Sequence, residues 1–202
     1  MSYIVICDFD GTVTSQDVIH AVLDRFAGDE WWEIERELRA GKLSVLECMR
    51  RQLALLKVSR EEVEKFIIKS VTLDPGFKKL VSACRESGVK LVVLSSGFNL
   101  FIELIFKKYG VKGVEYYANE LVFKRDRLEI RPLYFNPKCG KCPTCKTNFV
   151  KKYKSEGLKV VYVGDGTSDT CPAFYVDILF AKELVKMGVL RGIEHPNRLK
   201  RA

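Results

Sequence analysis

The sequence predicts an α/β protein, a parallel sheet carrying a small helical insertion, and three observations lead there. Tyr3 to Cys7 (YIVIC), Lys90 to Leu94 (KLVVL) and Lys159 to Val163 (KVVYV) are apolar runs without polar alternation, as expected of strands covered on both faces. Each is followed by a turn of small or acidic residues and then a helical pattern, the order of a doubly wound sheet. After the first run, however, the next core helix is announced only at Asp74-Pro75-Gly76, far beyond the ~2 to 6 residues of an ordinary strand-to-helix loop.

The intervening pattern is helical. Ser44-x-x-Glu47 and Ser59-x-x-Glu62 read as capping boxes, in which a hydroxyl and a carboxylate satisfy the free N–H groups of a helix start. Val45, Met49, Leu53 and Leu56 keep to one helical face, as do Val63, Phe66 and Ile67, and Gly28 and Gly41 mark the ends of two earlier helices. The chain therefore divides into a Rossmann-like core, 1–13 and 74–202, and a helical cap, 14–73, over the C-terminal edge of the sheet. Ala118 to Arg131 alternates on either side of Lys124-Arg125-Asp126-Arg127 and predicts a β-hairpin outside the core.

Composition bounds the function classes. No stretch of the 202 residues approaches the roughly 18 consecutive apolar residues of a membrane span, so no membrane partner is expected, and the start of the chain carries no pattern of an export leader. Seven cysteines without such a leader point to reduced thiols and the cytoplasm. The net charge of +8 is uneven, −4 over residues 1–74 and +12 over 75–202. A basic body fits nucleic acid, a membrane surface, an anionic small substrate or simply a solvated basic face, and composition alone does not choose among them. The Arg198 to Arg201 run reads as a solvated tail, with no nucleic-acid partner expected. The oligomeric state is left open.

Ligands of open α/β sheets bind beyond the carboxyl ends of the strands. There the sequence places Asp8-Phe9-Asp10-Gly11-Thr12, Ser95-Ser96-Gly97, a helix opening at Lys146, and Gly164-Asp165-Gly166-Thr167-Ser168-Asp169. These four segments resemble the motifs of the haloacid dehalogenase superfamily: DxDGT, an apolar run ending in Ser or Thr, a Lys, and GD followed by a second Asp. The resemblance spans Cys7 to about Ala181 and implies a magnesium-dependent phosphatase acting on a small phosphate ester.

Physical chemistry gives each residue a task in such a reaction. A phosphate dianion ~3.5 Å from a carboxylate meets roughly 9 kcal/mol of repulsion at an effective dielectric of ~20. Asp8 and Asp165, with the backbone carbonyl of Asp10, offer hard oxygen ligands to a Mg2+ that offsets it, and Lys146 adds a second positive charge. Ser95, Ser96 and Gly97 can cradle phosphate oxygens. Asp8 is the candidate nucleophile, and Asp10 the acid that protonates the leaving alkoxide. Asp169 is expected to hold Lys146 or a metal-bound water. A phosphoacceptor receiver domain also places Asp, Ser/Thr and Lys at strand ends, but it lacks DxDGT and the cap. A non-catalytic binding module is disfavoured because no motif position is lost.

Within the superfamily the resemblance pulls two ways. Asp17 and Arg50 stand where phosphoserine phosphatases carry a Glu and an Arg that grip the substrate's ammonium and carboxylate. The Cys145-Lys146 junction is instead similar to the methionine-salvage and the phosphocholine/phosphoethanolamine phosphatases, and Cys171-Pro172 to the latter. The balance favours a small-metabolite phosphatase other than a dedicated phosphoserine enzyme. Cys139, Cys142 and Cys145 are open to three readings: a zinc knuckle, a disulfide or free thiols. His20 reads equally as a satisfied helix residue or a ligand. Trp31 and Trp32 read as packing between cap and core.

Overall fold

The computed structural model describes residues 2–181; the Arg198 to Arg201 run and His195 lie outside them. Strand β1 (Tyr3–Asp8) is central in a six-stranded sheet whose strands lie in the order β4 (Leu128–Arg131), β3 (Glu115–Phe123), β2 (Lys90–Phe98), β1, β5 (Lys159–Gly164) and β6 (Ile178–Ala181). It pairs in parallel with β2 on one side and β5 on the other. The chain thus leaves β1 in one direction to reach β2 and returns to the other side for β5. The carboxyl ends of the three strands open onto a crevice at this reversal, where ligands of such sheets bind. Strand β6 extends the β5 edge in parallel.

Alternation along β1 explains its uninterrupted apolar character. Val5 and Cys7 belong to one buried cluster, while Ile4 and Ile6 belong to a second on the opposite face, with Tyr153 and Val160. The sheet is covered on both sides, as an all-apolar parallel strand requires.

Between β1 and β2 the chain forms α1 (Val18–Phe26), α2 (Trp31–Arg39), α3 (Val45–Ala54) and α4 (Arg60–Ser70) before α5 (Pro75–Glu86) returns to the sheet. Ends of the four-helix segment are laced together: Ser15 N–H donates to Thr72 C=O at 3.0 Å and Asp74 N–H to Val13 C=O at 2.9 Å. Ser59 closes a reciprocal capping box with Glu62. Ser44 caps α3 by accepting from Glu47 N–H, but the Glu47 carboxylate turns to Arg51 at 3.2 Å, so this box is half formed. The buried faces of the four helices are continuous with one face of the sheet: Val18, Leu23, Leu53 and Ile67 share a cluster with Val93 and Phe98. Trp31 is fully buried in it, whereas Trp32 is 41% exposed.

One expectation is corrected. The segment predicted as a hairpin outside the core is part of the sheet: β3 (Glu115–Phe123) pairs in parallel with β2, and β4 (Leu128–Arg131) is its antiparallel edge. Ala118, Leu128 and Ile130 are buried. The alternation was read correctly, but an edge hairpin shields its inner face against a helix, here α6 (Asn99–Tyr109), and alternation alone does not tell a free ribbon from a sheet edge. Among the described residues no helix is long and apolar enough to cross a membrane.

Candidate active site

Asp8 ends β1 and is 4% exposed. Its Oδ1 accepts from Phe9 N–H at 2.8 Å and from the Lys146 ammonium at 2.6 Å. Lys146 opens α7 (Lys146–Ser155) and is itself 2% exposed. The same ammonium donates to Asp169 Oδ1 at 2.7 Å and Ser168 Oγ at 3.0 Å. Burial alone would push the lysine down, but Asp169 and Asp8 outweigh it and hold the pKa above the ordinary value. Burial and then the Asp169 charge push Asp8 up. Asp169 is the better-served partner: against its burial, Lys146 and the Tyr162 hydroxyl, donating at 2.5 Å, hold its carboxyl low.

Asp10 follows in the turn Phe9–Val13. Its Oδ2 accepts from Ser95 Oγ at 3.0 Å and its Oδ1 from Val18 N–H at 3.1 Å, so one carboxylate joins β2 to the start of α1. Burial, followed by the Asp17 charge, pushes this carboxyl up to about 7. Asp165 follows β5 and accepts from Thr12 Oγ1 at 2.5 Å; burial raises it too. The close approach requires glycine at position 11, whose φ is +73° and where an added Cβ would lie 2.3 Å from Asp165 Oδ2.

Carboxylate oxygens of Asp8, Asp165 and Asp169 come within 4.8 Å of one another. Three hard oxygen donors and one ammonium leave an excess of negative charge, a donor set suited to a hard divalent cation. The sequence reading proposed Asp8, Asp10 and Asp165. That reading used the backbone carbonyl of Asp10; the Asp10 carboxylate is engaged by Ser95 and Val18, and the Asp169 carboxylate stands beside those of Asp8 and Asp165.

Ser95 is fully buried, its hydroxyl committed to Asp10 and to Gly97 N–H, which donates to it at 2.8 Å. Ser96 and Gly97 line the cavity, and Ser96 Oγ is a buried hydroxyl without a partner among the described residues. Sequence reasoning missed what holds this turn. Asn119, buried in β3, donates to Ser96 C=O at 2.8 Å and to Thr144 Oγ1 at 3.0 Å, tying the turn to the loop that delivers Lys146. Its signal was an amide inside an apolar strand, as Tyr162 was a hydroxyl inside KVVYV.

The cavity above these groups measures about 150 Å³. Asp8, Asp10, Asp165, Gly166 and Ser168 form its floor; Asp17, Ile19, His20, Glu35, Leu38, Val45, Cys48, Met49 and Gln52 come from the helical segment. Asp17 caps α1 by accepting from His20 N–H at 3.0 Å. Arg50 is not among the lining residues; it is exposed. The cavity side of α3 is Val45, Cys48, Met49 and Gln52, spaced i, i+3, i+4 and i+7, which turns position 50 away from it. The role that the resemblance gave Arg50 therefore has no support in the geometry.

Glu35 is a buried acid in this wall. Its oxygens take Gln52 at 3.2 Å and Arg39 at 3.1 Å, with His20 Nε2 at 3.7 Å, and this company, His20 first, holds the carboxyl down at about 2. A folded pKa below the unfolded one means that the unfolded chain takes up its proton first as pH falls. The resulting stability is complete above about pH 4.5, is lost toward pH 2, and is at most about 3 kcal/mol. Glu35→Gln should thus lower stability at pH 6 and flatten the stability curve between those limits. Denaturant unfolding across that range checks it, and an unchanged slope would refute it.

Cys139, Cys142, Cys145 and Cys171 are free thiols. Among the described residues only the Asp8, Asp165 and Asp169 carboxylates bring three ligand atoms within 4.8 Å of one another, and burial, then the neighbouring Cys171 and Cys139, pushes the Cys142 thiol up to about 11. The zinc and disulfide readings have no support here. The loop has a mechanical part instead: its Lys141 C=O accepts from Leu46 N–H of α3 at 3.0 Å, linking the helical segment to the loop before Lys146.

Comparisons with known proteins agree with this geometry. The profile of the family described as Putative Phosphatase matches residues 3–182. A 2-hydroxy-3-keto-5-methylthiopentenyl-1-phosphate phosphatase of Brevibacillus brevis is 32% identical over 185 residues, covering 90% of this chain and 83% of that protein. The bifunctional enzyme MtnB/MtnX of Bacillus licheniformis is 31% identical over 197 residues, 95% of this chain but 46% of its own length. A solved structure described as a phospho-aspartyl intermediate analogue of phosphoserine phosphatase superposes with a TM-score of 0.71 at 26% identity, covering 93% of this chain and 90% of that one. With the motif residues gathered at the carboxyl ends of β1, β2 and β5, this chain belongs to the Putative Phosphatase family and is a haloacid dehalogenase superfamily phosphatase of the phosphoserine-phosphatase-like branch.

Proposed function

We propose that this protein is a Mg2+-dependent phosphomonoesterase that hydrolyses a small phosphorylated metabolite through a phosphorylated Asp8, with residues 14–73 acting as a cap. The observation that carries the reading is the buried Lys146 ammonium, fixed on Asp8 and Asp169 at 2.6 and 2.7 Å. A positive charge held at the nucleophile offsets the repulsion between carboxylate and phosphate without having to move.

In the proposed reaction the Asp8 oxygen not engaged by Lys146 attacks phosphorus as the ester P–O bond breaks. Asp10 gives its proton to the departing alkoxide, a role that its raised pKa and its place on Ser95 suit. Asp10 then takes a proton from water, which attacks the phosphorus of the acyl phosphate and releases inorganic phosphate and free Asp8. The Ser96 hydroxyl, which has no partner among the described residues, is offered to a phosphate oxygen. Asp8 and Asp165, with the Asp10 carbonyl, would hold the Mg2+, which when bound supplies positive charge to the phosphate. Chelation with EDTA should abolish phosphate release and added Mg2+ restore it, followed by free phosphate. Undiminished hydrolysis after chelation would overturn the metal assignment.

For the substrate, the relatives named after the methylthiopentenyl phosphate supply one candidate. The wall of Ile19, Leu38, Val45 and Met49 suits a short apolar tail. Phosphoserine is disfavoured because no Lys or Arg stands among the lining residues to pair with its carboxylate.

A further inference from the structure

We infer that His20 is a specificity-determining residue: its ring, held between Asp17 and Glu35, donates a hydrogen bond to a carbonyl or enol oxygen on the carbon chain of the phosphate ester. The inference rests on the phosphomonoesterase reading of the same cavity.

The lining residues include five acids, Asp8, Asp10, Asp17, Glu35 and Asp165, and His20 is the one side chain among them able to carry positive charge. It stands on the first turn of α1, above the floor that would hold the phosphoryl group. His20 Nδ1 lies 3.5 Å from Asp17 Oδ2 and Nε2 lies 3.7 Å from Glu35 Oε2, while the ring stacks on buried Trp31 with centroids 5.1 Å apart. Two carboxylates and an indole therefore fix its plane. Both nitrogen contacts are longer than the ~2.7 to 3.2 Å of a good N–H···O bond, and the side chain is 31% exposed. Its donors are oriented but not saturated.

Although His20 is the strongest influence holding Glu35 down, the ring does not carry that role alone. Gln52 and Arg39 already donate to that carboxylate at 3.2 and 3.1 Å, as a buried acid needs. The charged groups facing His20 are Asp17 from the start of α1, Glu35 from α2 and Asp10 from the turn after β1. Together they outweigh burial and hold the imidazole above its ordinary pKa, toward the donating cation. An ammonium head group would compete with the imidazolium for the same two carboxylates. A carboxylate takes its best clamp from a bidentate guanidinium, which this wall lacks. A single acceptor oxygen is what the arrangement fits.

The test compares wild type and His20→Gln on three esters: dihydroxyacetone phosphate, which carries a ketone; propyl phosphate, which carries no acceptor beyond the ester; and phosphoethanolamine. Loss of one charge-assisted hydrogen bond should lower kcat/KM for dihydroxyacetone phosphate by about tenfold to a hundredfold, with propyl phosphate unchanged. Equal losses on all three esters, or no loss on the ketone, would overturn the inference. As a second readout, dihydroxyacetone phosphate is titrated into Asp8→Asn and the imidazole resonances are followed by NMR, with His195 as the other histidine of the chain. The His20 signal should shift and its pKa rise on binding; a bound ketone that leaves it unmoved would refute the contact. This readout does not depend on the His20→Gln protein folding, nor on turnover. If wild type binds the ketone with that shift but releases no phosphate, the proposed hydrolysis fails and the recognition stands.

Discussion

Asp8→Asn is expected to leave less than a thousandth of the wild-type rate of phosphate release while the protein stays folded. The amide keeps the shape of the side chain and can still accept from Phe9 N–H and Lys146, which donate to Asp8 at 2.8 and 2.6 Å. It lacks the anionic oxygen on which the phosphoryl group would be carried, so the covalent route is closed. Stability should change little, because Lys146 keeps Asp169 at 2.7 Å. Single-turnover assays on a phosphate ester together with a circular dichroism melt separate the two effects. A folded Asp8→Asn protein with a tenth of normal turnover would show that Asp8 is not the nucleophile.

Lys146→Met should have the largest effect on stability and also abolish turnover. The substitution leaves Asp8 and Asp169, 4% and 0% exposed, without the cation between them. Breaking a buried pair in this way costs about 3 to 5 kcal/mol, a large share of the roughly 5 to 15 kcal/mol that holds a domain folded. The loss should be smaller in mild acid than at pH 8, because a proton on one carboxyl removes the repulsion that the lysine had offset. Denaturant midpoints at the two pH values measure it. A loss under about 1 kcal/mol at pH 8 would mean that the triad contributes little to the fold, contrary to the usual cost of an unpaired buried charge.

Asp8, Asp10, Lys146, Asp165 and the Ser95 to Gly97 turn were all legible because each follows a buried strand or opens a helix at one edge of the sheet. In a doubly wound fold, that position along the chain is already a position in space. The insertion was legible for a similarly local reason. Caps and a 3.6-residue apolar period are written within a few residues of the helix they form, and Ser59 with Glu62 behaves as read.

What was misread depended on partners distant in the chain. The hairpin of β3 and β4 could be recognised from its own alternation, but its membership of the sheet is decided by β2 and α6. Arg50 carries the expected residue type at the expected offset, yet the rotation of α3 turns Val45, Cys48, Met49 and Gln52 toward the cavity instead.

The sequence by itself determined the three central strands, the inserted helices and the set of carboxylates and lysine at the strand ends, because each is specified by residues close to one another in the chain. Only the tertiary structure decided how those charges are shared: Asp169 on Lys146 and Tyr162, Asp10 on Ser95, and His20 against Glu35 in the cavity wall. The reason is physical. Pairing energies between buried charges depend on separation and burial, and both are set by elements that meet only when the chain has folded.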